Sequence, residues 1–121
     1  MKETNTHTIQ NVLLDIGIPA NRLGFMYLVY GFELALDNYE YIVRLYKLLY
    51  VDVAKKYKTD PGCVEHCVRS AITKAFTSGN NERITQIFAN EKYKTAPSPT
   101  QFMSRMYFYI VNNEHEKRLS S

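Results

Sequence analysis

The sequence predicts an all-α domain, a bundle of about six helices containing a helix-turn-helix unit. Three observations lead there. Apolar residues recur at helical spacing nearly throughout, and no run alternates apolar with polar residues in the manner of a strand. The five glycines and four prolines fall mainly at joints between these periodic segments. A short periodic segment, a tight turn and a longer periodic segment follow one another between Val51 and Ser78, the order of a helix-turn-helix.

The first helix is expected over residues 8–16, with Ile9, Val12, Leu13 and Ile16 on one face and Gly17-Ile18-Pro19 ending it. The second, over 22–37, is apolar on most of its circumference and so belongs at the centre of the bundle. A third is expected over 39–49 and a short fourth over 51–57. Thr59-Asp60-Pro61-Gly62 is a turn that opens a fifth helix, with Asp60 as N-cap and Pro61 at the first helical position. That helix runs to Ser78 and is stopped by Gly79-Asn80. A shorter helix over 82–88, a loop over 91–100 with Pro97 and Pro99, and a last helix over 101–116 complete the chain. Phe102, Met106, Tyr109 and Ile110 form the expected inner stripe of that last helix. Residues 1–8 and 117–121 are expected to be tails around a domain spanning 9–116. Tyr27, Tyr30, Tyr46 and Tyr107 are expected to supply much of the aromatic packing, since tryptophan is absent.

A chain of 121 residues can bury a single core without disulfides or metal staples. Apolar residues at 45% and charged residues at 22% are ordinary for a globular domain. A net charge of +3 by itself says nothing about nucleic acid, but its distribution does. Arg44, Lys47, Lys55, Lys56 and Lys58 cluster against the single Asp52, after Glu33, Asp37 and Glu40. A local basic patch on a nearly neutral domain suits a small DNA reader. The N-terminus lacks the apolar run of a signal peptide, and no stretch approaches the roughly 18 apolar residues of a membrane span. A soluble, cytoplasmic protein is expected.

On the fifth helix, Val64, Val68, Ala71, Ile72 and Ala75 fall on one side at about 100° per residue, with Cys67 and Phe76 at its margins. The opposite side collects Gly62, Cys63, His66, Arg69, Ser70 and Thr73, with Glu65 at one border and Lys74 on the cysteine side. Short polar groups around one arginine suit a major groove: Arg bonds guanine bidentately, Glu accepts from cytosine N4, and Ser or Thr reach several bases. The plainer alternative is a merely solvated face. Cys63, Glu65, His66, Arg69, Ser70 and Thr73 are the base-contacting candidates. Lys55, Lys56 and Lys58, with Gly62 at the helix start, are the phosphate-contacting candidates, because the first helix of such a unit crosses the backbone.

Other chemistry finds little support. Cys63, His66 and Cys67 stand at i, i+3 and i+4, but a structural zinc site needs a fourth ligand and no second Cys/His cluster exists. Cys63 near a helix start could be a reactive thiol, against the simpler reading of a small exposed side chain. No nucleophile with its base, phosphate-cradling glycine loop or paired-carboxylate site is readable. Neither enzymatic activity nor a metal or other cofactor is expected.

The stretches Leu14-Asp15-Ile16-Gly17-Ile18-Pro19-Ala20, Gly24-Phe25-Met26-Tyr27-Leu28 and Leu49-Tyr50-Val51-Asp52-Val53-Ala54-Lys55-Lys56-Tyr57 carry a family resemblance. So do Val64-Glu65-His66-Cys67-Val68-Arg69-Ser70-Ala71-Ile72, Ser78-Gly79-Asn80 and the surroundings of Pro97, Phe102 and Met103. Over roughly residues 9–116 the chain resembles the DNA-binding effector domain of the stage-zero sporulation response regulator of endospore-forming bacteria. The resemblance implies a six-helix effector domain that reads a short operator box in double-stranded DNA, often repeated in tandem. It also implies RNA polymerase and a second copy on tandem DNA as further partners. Two departures stand out. Family members carry a receiver domain ahead of this one, and the few residues before Ile9 leave no room for it, as in an excised fragment or a stand-alone regulator. The family also has arginines at the positions of Cys63 and His66, while Glu65 and Arg69 match its pattern. Cysteine cannot imitate a guanidinium fork and neutral histidine does so poorly. The fold and general DNA binding are therefore expected to carry over more securely than the family's operator. The rival expectation is an interaction-only modulator that binds a regulator or polymerase with little DNA readout.

Overall fold

The computed structural model describes residues 2–88 and 96–120. The helices in chain order are α1 (Lys2–Ile16), α2 (Leu23–Asp37), α3 (Glu40–Val43), α4 (Tyr50–Tyr57), α5 (Pro61–Ser78), α6 (Asn81–Ile87) and α7 (Pro99–Ser120). A π-helical turn, Leu45–Leu49, joins α3 to α4. No strand occurs among the described residues, as the absence of alternating runs requires.

α2 lies at the centre, against α1, α3, α4, α5, α7 and the π turn. Its two-sided burial explains its near-continuous apolar composition: Tyr27, Leu28, Val29, Phe32 and Ala35 are all buried. Ile9, Val12, Leu13 and Ile16 of α1 pack onto it as their spacing predicts. Phe76 and Phe88 meet Phe102 of α7 with ring centroids 6.3 and 6.1 Å away, closing the α5–α6–α7 end of the core.

Several elements differ from the sequence reading. α1 already runs from Lys2, taking in residues assigned to a tail; Thr8 is buried, and Thr6 Oγ1 donates to the Glu33 carboxylate of α2. α7 likewise continues through Ser120. Its inner stripe contains Met103 beside Phe102, Met106 and Ile110, and Tyr109 lies only half-buried at the margin. The expected helix over 39–49 is broken at Arg44 (φ −115°, ψ 56°). Beyond it the chain widens by one residue, and the Tyr50 N–H donates to the Leu45 carbonyl. Leu45, Leu49 and Tyr50 are all buried across this wide turn. Of the loop expected over 91–100, residues 91–95, with Lys92 and Lys94, lie outside the described residues.

The helix stops also divide differently. Gly17 closes α1 with φ 101°, whereas Gly79 has φ −88° and is extended rather than left-handed. The left-handed stop after α4 falls instead on a lysine, Lys58 (φ 56°, ψ 48°), the only non-glycine with positive φ among the described residues. A Cβ in that region costs roughly 1–2 kcal/mol. Lys58→Gly is therefore expected to stabilise the domain by roughly 0.5–1 kcal/mol, after the greater chain entropy of glycine when unfolded is subtracted. A urea titration would show a raised midpoint at constant slope; an unchanged or lowered midpoint would mean that the lysine conformation is not strained.

Candidate nucleic-acid interface

The helix-turn-helix corner is made by local chemistry. Lys58 turns the chain out of α4, and the Thr59 N–H donates to the Ala54 carbonyl at 3.0 Å. Asp60 is extended (φ −111°, ψ 157°), and its Oδ1 accepts the Cys63 N–H at 2.8 Å, with Pro61 filling the first helical position. α5 then runs five turns. Val64, Val68, Ala71, Ile72 and Ala75 are buried, and Cys67 and Phe76 sit at the margins, as the spacing predicts. On the other side Gly62, His66, Arg69, Ser70, Thr73 and Lys74 are exposed, and Cys63 and Glu65 are half-buried. The structure thus brings every base-contacting candidate onto one side of one helix.

Arg69 is mounted rather than loose. One guanidinium nitrogen donates to Glu65 Oε2 at 3.0 Å and to the Tyr46 hydroxyl at 3.3 Å. The Glu65 hydrogen bond is the largest influence holding the guanidinium in its charged form. Tyr46 comes from the π turn and stands on Tyr50 edge to face, centroids 5.1 Å apart. Tyr46 is therefore an exposed side chain that supports Arg69, not a core aromatic. Tyr50 beneath it is buried, and burial pushes its phenol far above the usual range.

The phosphate-contacting candidates are spread around the start of α5. Lys55 and Lys58 are exposed. Lys56 Nζ lies 5.0 Å from the Tyr30 ring centroid and 5.7 Å from that of Tyr57, a cation–π seat on α2 and α4. Both cysteines are free thiols. Burial first, then the neighbouring Cys63, pushes the Cys67 thiol up, which disfavours a reactive thiolate there. Among the described residues no three His, Cys, Asp or Glu side chains converge as metal ligands.

Hollows open on the surface of the bundle among the described residues. One, about 490 Å³, lies between α1, α6 and α7, where Asp15 and Arg83 form an ion pair at 2.5 Å. Another, about 380 Å³, runs along the outer side of α5 and is bounded by Arg22 at the start of α2. A family model described as Sporulation initiation factor Spo0A C terminal matches residues 9–110. The chain belongs to this family. The Spo0A C-terminal family consists of helical DNA-binding effector domains of transcriptional control in sporulation, not of enzymes. The matched segment begins inside α1 and ends inside α7, so it contains the whole helix-turn-helix. No helix among the described residues is long and apolar enough to cross a membrane.

Sequence reasoning missed two side chains at this surface. Tyr46 reaches Arg69 from the π turn, and no residue type announces that departure from α-helical register. Arg22 carries a weak signal, a cation at a helix start after the Pro19 turn, and only the packing of α2 on α5 brings it to the readout side.

Proposed function

We propose that this chain is a sequence-specific DNA-binding transcriptional regulator that lays α5 in the major groove. The observation carrying this reading is the outer side of α5. Gly62, His66, Arg69, Ser70, Thr73 and Lys74 are exposed along it, Cys63 is half-buried, and Glu65, its one carboxylate, is half-buried and paired with the central arginine. Arg69 reads guanine, Glu65 accepts from cytosine N4, and Ser70 and Thr73 supply adaptable hydroxyls, with Cys63 and His66 as short contacts beside them. Releasing Arg69 from Glu65 costs only about 0.3–0.5 kcal/mol, the worth of an exposed i,i+4 pair. A bidentate base contact discriminates by about 1–3 kcal/mol, so the exchange favours DNA. Lys55, Lys56 and Lys58, with the Gly62 amide, hold phosphates around the helix start. Tandem binding and contact with RNA polymerase belong to the same proposal, and exposed Tyr39, Val43 and Phe108 offer apolar surface for such protein contacts.

The test is duplex affinity against salt. Each phosphate contact contributes about 0.9 to the slope of log K against log salt. Lys55→Ala/Lys56→Ala is expected to flatten the slope by nearly two units, and Arg69→Ala to weaken binding and blur selectivity. Unchanged affinity and slope in the lysine variant would remove that surface from the interface. Failure of the native chain to bind any duplex at low salt would favour the interaction-only reading.

A further inference from the structure

We infer that the cleft between Arg22 and the outer side of α5 receives the sugar-phosphate backbone of one DNA strand, with Arg22 and Lys74 as its phosphate contacts. This inference rests on the major-groove reading above and extends it to a second, separate rim.

The cleft, about 380 Å³, is lined by Arg22, Arg69 and Lys74, with His66 and the hydroxyls of Ser70 and Thr73 between them. No carboxylate lines it. Arg22 and Lys74, which have no part in base reading, stand on this wall with the Glu65-paired Arg69, and their charge makes it attractive to a polyanion. A neighbouring hollow of about 260 Å³ shares Arg22, His66 and Ser70 with it and is also lined by Leu23, Gly24 and Cys67. Gly24 makes this arrangement possible: a Cβ there would stand 2.5 Å from the Cys67 carbonyl oxygen, so α2 touches α5 backbone to backbone. Two residues earlier in the chain, Arg22 is thereby set beside His66 and Ser70. Arg22 is exposed, and its side chain makes no hydrogen bond or ion pair among the described residues. Lys74 is exposed on the same flank, two turns beyond His66.

The dimensions require two rims. A helix with its side chains is about 10–12 Å across, and the major groove is about 12 Å wide. A helix filling the groove therefore has a phosphate ridge along each flank. On one flank α5 meets the π turn, where Tyr46 touches Arg69 beside Lys47. On the other it meets α2, and only Arg22 and Lys74 stand there as cations in the cleft wall outside the base-facing row.

The experiment uses the full chain with a duplex of about 20 base pairs, carrying either the family's box or a scrambled sequence, between about 50 and 200 mM salt. Arg22→Gln and Lys74→Gln should each flatten the salt slope by about 0.9, and the double variant by nearly twice that. Affinity should fall by the same factor on both duplexes, leaving their ratio unchanged, since phosphate contacts carry no sequence information. A duplex with one neutral methylphosphonate at the contacted position should bind the native chain more weakly but the double variant no differently. If the slope is unchanged in the double variant while Lys55→Ala/Lys56→Ala still lowers it, the second rim is wrong and the major-groove reading survives. If neither variant alters the slope, both are wrong. Loss confined to the box duplex would make Arg22 or Lys74 a base contact and would also overturn the inference.

Discussion

Gly24→Val is expected to be strongly damaging, costing about 3 kcal/mol, at the upper end of overpacking effects. A Cβ at this position would meet the Cys67 carbonyl oxygen at 2.5 Å and the Ala71 Cβ at 2.7 Å. Both obstacles belong to rigid helix, so neither can swing aside as a side-chain tip could. Relief requires α2 and α5 to separate, which opens the core around Val68 and Ala71. Gly24→Ala should also destabilise, although alanine gains about 1 kcal/mol of helix propensity over glycine. Gly31→Ala provides the contrast. The nearest atoms to its Cβ would belong to the flexible Leu49 side chain, at 3.2 Å, and the propensity gain should roughly cancel the crowding. Urea denaturation of the three variants checks the account. Equal midpoints for Gly24→Ala and the native chain would mean that α2 and α5 do not touch as described.

Cys63→Arg/His66→Arg is expected to produce the largest gain, raising selectivity for the family's box over a scrambled duplex by tenfold or more. The family resemblance implies guanidinium groups at both positions, and one good bidentate contact is worth about 1–3 kcal/mol. The two sites are not equivalent. His66 is exposed on the base-facing row between Arg69 and Ser70, so an arginine there needs no rearrangement to reach the groove. Cys63 is half-buried, and a long side chain must first lay its stem along the surface. His66→Arg alone should therefore give most of the gain. Arg69→Ala should weaken binding in both backgrounds. Competition binding of the native chain and the three variants to both duplexes measures this directly. Equal tightening on box and scrambled duplex would mean that only charge had been added.

The sequence made the helices and the core side of α5 legible because both depend on periodicity, which burial enforces residue by residue. Asp60 and Pro61 announced the start of α5 because an N-cap acceptor and a proline at the first helical position act within one turn. What stayed hidden depends on distant contacts. The π turn packs Leu45, Leu49 and Tyr50 against core side chains that lie far away in the chain, so no local window announces it. With it went the placing of Tyr46 at Arg69. The left-handed stop at Lys58 escaped for a different reason: lysine is an unfavoured residue there, and glycine at 79 drew the expectation instead. Arg22 joined the readout side only through the tight crossing of α2 on α5.

The most direct test of α5 as the DNA-reading helix is a titration of the isotope-labelled chain with a box duplex, followed by backbone amide resonances. The largest perturbations are expected from Lys58 to Lys74 and at Arg22, spreading weakly into the π turn around Tyr46. The groove of Asn11, Asp15 and Tyr109, on α1 and α7, should remain nearly unperturbed. Perturbations centred on that groove, with the amides of His66, Arg69 and Thr73 unmoved at saturation, would contradict it.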